Sequence, residues 1–145
     1  MDYCNYGTIM VYSDMKEGYE RNGRMMEFIL GRYWKKIKKD GNRVESIAKV
    51  IFYQVGKGLL YLHEQNITHR DIKVDNIMAR TEDLGEEIKL GDFNTVRYSD
   101  DGISNQPAGT LHYRCPDQQF AHQKGYFAKS ADIWSLGITI YLFCF

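Results

Sequence analysis

The chain has 145 residues, enough for one domain with its own core. Its 19 basic and 19 acidic residues cancel, so no net charge favours nucleic acid or a membrane surface as a partner. Aromatic residues make up 14% and prolines number only two, a composition that excludes a disordered chain.

In chain order, Met1-Asp2-Tyr3-Cys4 lacks the basic and apolar regions of a secretory signal. Cys4, Cys115 and Cys144 are odd in number and far apart, with no zinc pattern and no disulfide framework. A reducing, cytoplasmic compartment is therefore expected. Residues Val11 to Asp40 are the least informative. Gly18 and Gly23 break the stretch early, and Met25, Met26, Phe28, Ile29, Tyr33 and Trp34 then recur at near-helical spacing. Lys35, Lys36, Lys38 and Lys39 are either a solvated basic face or a patch for an acidic partner. Asn42 or Ser46 can cap the next helix, with Glu45 suited to its first turn. Ile47, Ile51, Val55, Leu59 and Leu62 form one apolar stripe at steps of three and four. Gly56 and Gly58 weaken this helix by about 1 kcal/mol each relative to alanine, which suggests tight packing there. The helix should end near His63 to Asn66.

The next stretch is His69-Arg70-Asp71-Ile72-Lys73-Val74-Asp75-Asn76. Asp71 can orient a hydroxyl and accept its proton, Lys73 can neutralise a phosphoryl oxygen, and Asn76 offers a carbonyl oxygen to a hard cation such as magnesium. Such groups suit phosphoryl transfer, where positioning and charge stabilisation supply most of the rate. The plainer alternative is an exposed charged turn between a helix and a hairpin. Ile77-Met78-Ala79 and Ile88-Lys89-Leu90 read as that hairpin, with Gly85 in the connection. Farther on stand Gly91-Asp92-Phe93, Gly109-Thr110, Pro116-Asp117 and Asp132-Ile133-Trp134-Ser135-Leu136-Gly137. Ser130 is a candidate N-cap for a closing helix that is apolar on nearly every face. Its apolar run, Ile133 to Phe145, is too short to span a bilayer.

These motifs, in this order, resemble the eukaryotic protein kinase family of Ser/Thr type, whose catalytic loop reads His-Arg-Asp-x-Lys-x-x-Asn. The resemblance implies a mainly α fold with a short β-hairpin, a partial large (C-terminal) lobe, and no small lobe in these residues. It divides the chain into a hinge at 1–9, a helical part at 10–66, the catalytic loop and strand at 67–80, the metal-binding and activation segment at 88–117, and a truncated central helix at 129–145. It implies ATP and magnesium as cofactors, a protein substrate as partner, and neither nucleic acid nor membrane. Asp71 would be the base, Lys73 would steady the transferred phosphoryl, and Asn76 and Asp92 would hold the metal. Thr110 would bond Asp71 and Lys73. The backbone of Asp2 and Cys4 would meet adenine, with Ile9 and Met78 beneath it. Asp132 would hold the catalytic-loop backbone.

The chain also departs from the pattern. Asn94 replaces the glycine of Asp-Phe-Gly, and asparagine is the non-glycine residue best tolerated at positive φ. Cys115-Pro116-Asp117 stands where Ala-Pro-Glu is usual, which weakens an ion pair to a later arginine. The polar run from Thr95 to Ala108 matches an activation loop. There Thr95, Ser99 and Ser104 are candidate phosphosites that could pair with Arg70, and Asp100 and Asp101 could partly stand in for a phosphate. An unregulated solvated loop is the alternative. No Gly-rich phosphate loop and no Val-Ala-Ile-Lys strand occur in the 145 residues, so little turnover is expected of this chain alone. A non-catalytic, pseudokinase-like scaffold is the competing expectation. An uncovered central helix would leave an apolar patch exposed.

Overall fold

The computed structural model describes residues 7–13, 18–21, 43–79 and 88–145. Two helices organise them: α1, Arg43–Glu64, and the closing helix α3, Ala128–Cys144. A short helix α2, Ala121–Lys124, precedes α3. The strands are brief, and they pair as four small antiparallel sheets rather than as one hairpin.

Helix α1 forms because its apolar residues fall on one stripe. Ile47, Ile51, Val55 and Leu59 are essentially fully buried, while Leu62 is only half-buried. Ile47, Ile51 and Val55 pack in one cluster with Ile9, Met10, Val74, Ile77, Ala79, Ile88 and Phe143. Each such side chain contributes about 1.5–3 kcal/mol on full burial, so this contact sets the direction in which α1 delivers the chain to residue 69. Ser46 is not the cap; it lies inside the helix, buried, with no hydrogen bond to its Oγ among the described residues. Asn42 lies outside the described residues. The glycines do not mark close packing either. Among the described residues a Cβ on Gly56 would meet nothing within 4 Å, and one on Gly58 would make ordinary contact with Leu90 at 3.9 Å. Gly58 instead borders an apolar cavity of about 270 Å³ between α1 and the strand Ile88–Leu90, lined also by Gln54, Tyr61, Leu62 and Phe93.

The expected helical part at 10–66 opens on a hairpin. Strand β2, Met10–Ser13, pairs with β3, Gly18–Arg21, in the register Met10 with Arg21 and Ser13 with Gly18. The Arg21 guanidinium reaches the far end of the chain. It donates to the carbonyls of Phe143 at 2.8 Å and Cys144 at 3.0 Å, and lies 5.7 Å from the Phe143 ring centroid. A cation at a helix C-terminus is favourable because the last carbonyls have no partner within the helix. The apolar helix pattern from Met25 to Trp34 and the basic run from Lys35 to Lys39 fall outside the described residues.

The central sheet has three strands: β1, Gly7–Thr8, then β5, Ile77–Ala79, then β6, Ile88–Leu90. Ile77 faces Leu90 and Met78 faces Lys89 across the β5–β6 pair, as the hairpin reading expects. Strand β4, Ile67–Thr68, pairs with β7, Arg97–Tyr98, and β8, Ile103–Ser104, pairs with β9, Tyr126–Phe127. Helix α3 starts at Ala128, two residues before Ser130, and the Ala128 amide donates to the Gly102 carbonyl at 2.8 Å. Its buried face is mostly small and polar: Ala128, Ala131, Asp132, Ser135 and Thr139, with Phe143. The apolar Ile133, Trp134, Tyr141 and Leu142 are exposed at 41–62%.

Candidate active site

After α1 the chain turns back through Asn66, at φ 56°, a left-handed conformation that asparagine tolerates. Lys129 donates to the Asn66 side-chain oxygen at 2.8 Å and so ties this turn to the start of α3. Strand β4 then leads into His69.

The loop is suspended from Asp132, whose side chain is 1% exposed. Its Oδ2 accepts the His69 amide at 2.8 Å and its Oδ1 accepts the Arg70 amide at 2.7 Å. His63 Nε2, on the last turn of α1, lies 2.9 Å from Oδ2. A buried carboxylate is tolerable only when its lone pairs are filled, and here three donors fill them. Satisfying both consecutive amides puts Arg70 at φ 68°. His69 is wholly buried, with Nε2 3.0 Å from the Gly91 carbonyl and Nδ1 3.4 Å from the Asp71 amide. A carbonyl only accepts and an amide N–H only donates, so the hydrogen sits on Nε2. Thr95 donates to the His69 carbonyl at 2.9 Å.

From this support the polar side chains converge. Asp71 Oδ1 accepts both the amide and the hydroxyl of Thr110, at 2.8 Å each. The Thr110 hydroxyl in turn accepts from Lys73 Nζ at 3.0 Å. Asp71 Oδ2 lies 3.3 Å from Lys73 Nζ and 3.3 Å from Asn76 Nδ2. Asn76 also donates to the Asp71 main-chain carbonyl at 2.8 Å. Partial burial pushes the Asp71 carboxyl upward, but the two Thr110 bonds and the Lys73 ammonium outweigh it and hold the group below its ordinary value of 3.8. Asp71 is therefore a carboxylate at neutral pH, with Oδ2 on the lysine side. Gly109 permits the Thr110 contact. It adopts φ +79°, and a Cβ there would lie 2.1 Å from the Arg70 carbonyl oxygen, a backbone atom that cannot step aside.

Asn76 ends the 3₁₀ turn Val74–Asn76, and its carbonyl accepts the Gly91 amide at 2.7 Å. This bond brings the Asp92 backbone beside Asn76. Asp92 is exposed at φ 56°, and its Oδ1 accepts the Asn94 amide at 3.3 Å. The positive φ thus falls on Asp92, and Asn94 does not take the conformation expected of it. Because Asn76 Nδ2 is spent on Asp71, what Asn76 retains for a further partner is its carboxamide oxygen. One carboxamide and one carboxylate make an all-oxygen donor pair. Such a pair fits magnesium, which keeps several waters and shares phosphate oxygens instead of filling a protein cage. Among the described residues no cluster of three or more His, Cys, Asp or Glu forms an alternative metal site. Met78 sits half-buried in the middle strand, and its Cε would be 2.0 Å from a Cβ on Gly91. Ile9, expected beneath a nucleotide, is wholly buried in the core, its amide donating to the Ile77 carbonyl at 2.9 Å. Asp2 and Cys4 lie outside the described residues.

Arg70 Nη2 donates to the Gln106 main-chain carbonyl at 2.9 Å, while its buried Nε finds no acceptor among the described residues. Of the three candidate phosphosites, Ser104 is 2% exposed and bonded to the Gln106 carbonyl, and Thr95 is committed to His69. Ser99 is less enclosed and bonds Asp101 at 2.6 Å. Asp117 lies 4.0 Å from Lys124, both well exposed, a pair worth little. His63, Asn66, Arg114 and Lys129 support the site without any sequence signal of their own. Among the described residues no helix is long and apolar enough to cross a membrane.

A protein kinase domain model matches residues 3–145. The ovarian-specific serine/threonine-protein kinase Lok of Drosophila melanogaster is 35% identical over 98 residues, covering 67% of this chain and 21% of its own length. An Aurora kinase of Yarrowia lipolytica is 34% identical over 120 residues, covering 82% of this chain and 31% of its own. The serine/threonine-protein kinase ppk25 of Schizosaccharomyces pombe is 34% identical over 125 residues, covering 86% and 27% respectively. The chain belongs to the protein kinase family. It spans between 21% and 31% of the length of these relatives.

Proposed function

We propose that this chain supplies the large-lobe half of a Ser/Thr protein kinase site, transferring the ATP γ-phosphoryl group to a protein hydroxyl. Asp71 orients the incoming hydroxyl and takes its proton as the new O–P bond forms and the bond to the ADP oxygen breaks. Thr110 fills Oδ1 with two bonds at 2.8 Å, whereas Oδ2 has only the longer 3.3 Å contacts of Lys73 and Asn76, so Oδ2 is the oxygen for that proton. Lys73 lies 3.3 Å from Oδ2 and 3.0 Å from the Thr110 hydroxyl, where its charge steadies both the carboxylate and the phosphoryl in transit. Asn76 and Asp92 would hold magnesium, which when bound neutralises charge on the nucleotide phosphates. Met78 would lie under the base. The single observation that carries this reading is the closed set of bonds among Asp71, Lys73, Asn76 and Thr110.

The 145 residues by themselves contain no lysine strand or Gly-rich loop to place the phosphates, so we expect nucleotide binding without efficient turnover. Titrating the chain with magnesium and ATP should shift the amide resonances of Asn76, Met78 and Asp92, and Asp92→Asn should remove the magnesium-dependent part. A spectrum unmoved by magnesium-ATP overturns the reading. A second reading, a non-catalytic docking module, is favoured by Asn94 and Asp117 at positions where the family pattern has glycine and glutamate. Phosphoryl transfer by a longer chain carrying these residues would exclude it.

A further inference from the structure

The Arg114 guanidinium is turned back along the chain onto a single acceptor. Its Nε and Nη2 both donate to the Gly109 carbonyl, at 2.9 and 2.7 Å. That carbonyl and the Thr110 amide belong to one peptide unit. The N–H at its other end donates to Asp71 Oδ1 at 2.8 Å. One planar peptide is therefore clamped between a fixed positive charge and the site carboxylate. Drawing electron density toward the carbonyl oxygen makes the N–H a stronger donor, the cooperative effect expected of hydrogen bonds in series. The clamp is directional as well as electrostatic. A guanidinium presents two N–H groups in a rigid fork, which a lysine ammonium cannot reproduce.

Local structure holds the arginine in place. Arg114 closes the 3₁₀ turn Leu111–Tyr113, and its amide donates to the Leu111 carbonyl at 3.2 Å. Ser135, on α3, donates to the Tyr113 carbonyl at 2.8 Å and so fixes this turn to the same helix that carries Asp132. A Cβ on Gly109 would lie 2.1 Å from the Arg70 carbonyl oxygen, so the residue is hemmed in on that side while the fork holds its own carbonyl.

We infer that Arg114 is a positioning residue: its fork fixes and polarises the Gly109–Thr110 peptide, and through it sets the orientation of the Asp71 carboxylate. The importance of Asp71 rests on the kinase reading, but the clamp itself does not. In Arg114→Met the Thr110 amide should exchange about tenfold faster, the loss of roughly one hydrogen bond, and its proton resonance should move upfield. Arg114→Lys keeps the charge without the fork and should show a smaller change in the same direction; it also serves if the methionine variant does not fold. The His69 and Arg70 amides, held by Asp132, should keep their exchange rates in both variants. Unchanged Thr110 exchange overturns the inference. So does faster exchange at Thr110, His69 and Arg70 together, because Arg114 would then merely hold the fold. Neither nucleotide nor magnesium enters this experiment, so its failure leaves the kinase reading to be decided separately by the magnesium-ATP titration.

Discussion

The catalytic-type loop at 66–76 and the acidic turn at 97–104 are both short, polar and rich in hydrogen bonds, yet they are held in opposite ways. The loop is held from a distance. Its acceptors and donors come from Asp132, Thr110 and Gly91, which lie 62–63, 39 and 22 positions further along the chain. The turn has distant backbone partners at its two ends, where β7 pairs with β4 and β8 with β9, but its side chains bond mostly one another. Tyr98 bonds Asp100, Ser99 bonds Asp101, and the Ile103 amide bonds Asp101, each two residues apart and exposed. Exposed local bonds exchange freely for water and add little. Buried long-range bonds cost far more to lose, because the orphaned partner cannot find water. Rigidity therefore belongs to the loop and tolerance to the exposed side chains of the turn.

The strongest way to break this contrast is Asp132→Ala. It should cost about 2–6 kcal/mol, since two amides lose their acceptor at about 1–3 kcal/mol each, and urea unfolding would read it. Gly109→Ala comes next, at about 1–3 kcal/mol from backbone strain at φ +79°; a lowered urea midpoint with an unchanged slope would report it. A smaller effect sharpens the electrostatics. The Asp71 carboxyl is held below 3.8 in the folded protein. Its contribution is thus present above that pH and is lost as pH falls through the lowered value. Thr110→Val should be less stable than the parent at pH 6, and the gap should shrink on acidification. Smallest of all, Ser99→Ala and Asp101→Asn should leave the thermal midpoint where it was. A clear drop from either would show that the turn is a support and not a decoration.

How much of this is legible in the sequence follows the same division. The apolar stripe of α1 and the pairing of 77–79 with 88–90 depend on local periodicity, and both appear where the pattern puts them. Asp71, Lys73, Asn76 and Thr110 can be read because their spacing matches a family pattern. His63, Lys129 and Arg114 cannot, since each acts through a partner that no local window contains. The hairpin at 10–21 escapes sequence reasoning for a related cause. Residues 14–17 read Asp-Met-Lys-Glu, without the Asn-Gly or Asp-Gly signal that marks a tight turn. Gly56 and Gly58 mislead by suggesting contact where the helix faces open space or a cavity. Periodicity says which face of a helix is apolar, not what fills the gap opposite. The same limit applies to α3, whose uniform apolarity conceals that its buried face carries Asp132, Ser135 and Thr139.

The suspension of residues 69 and 70 from Asp132 bears on synthesis. A ribosome completes the His-Arg-Asp triplet some sixty residues before it adds the carboxylate that shapes it. Until then the nascent loop has its chemical groups but no reason to hold them together, and water serves its amides equally well. A product terminated between residues 77 and 131 would carry the whole His-Arg-Asp-x-Lys-x-x-Asn run and lack the geometry.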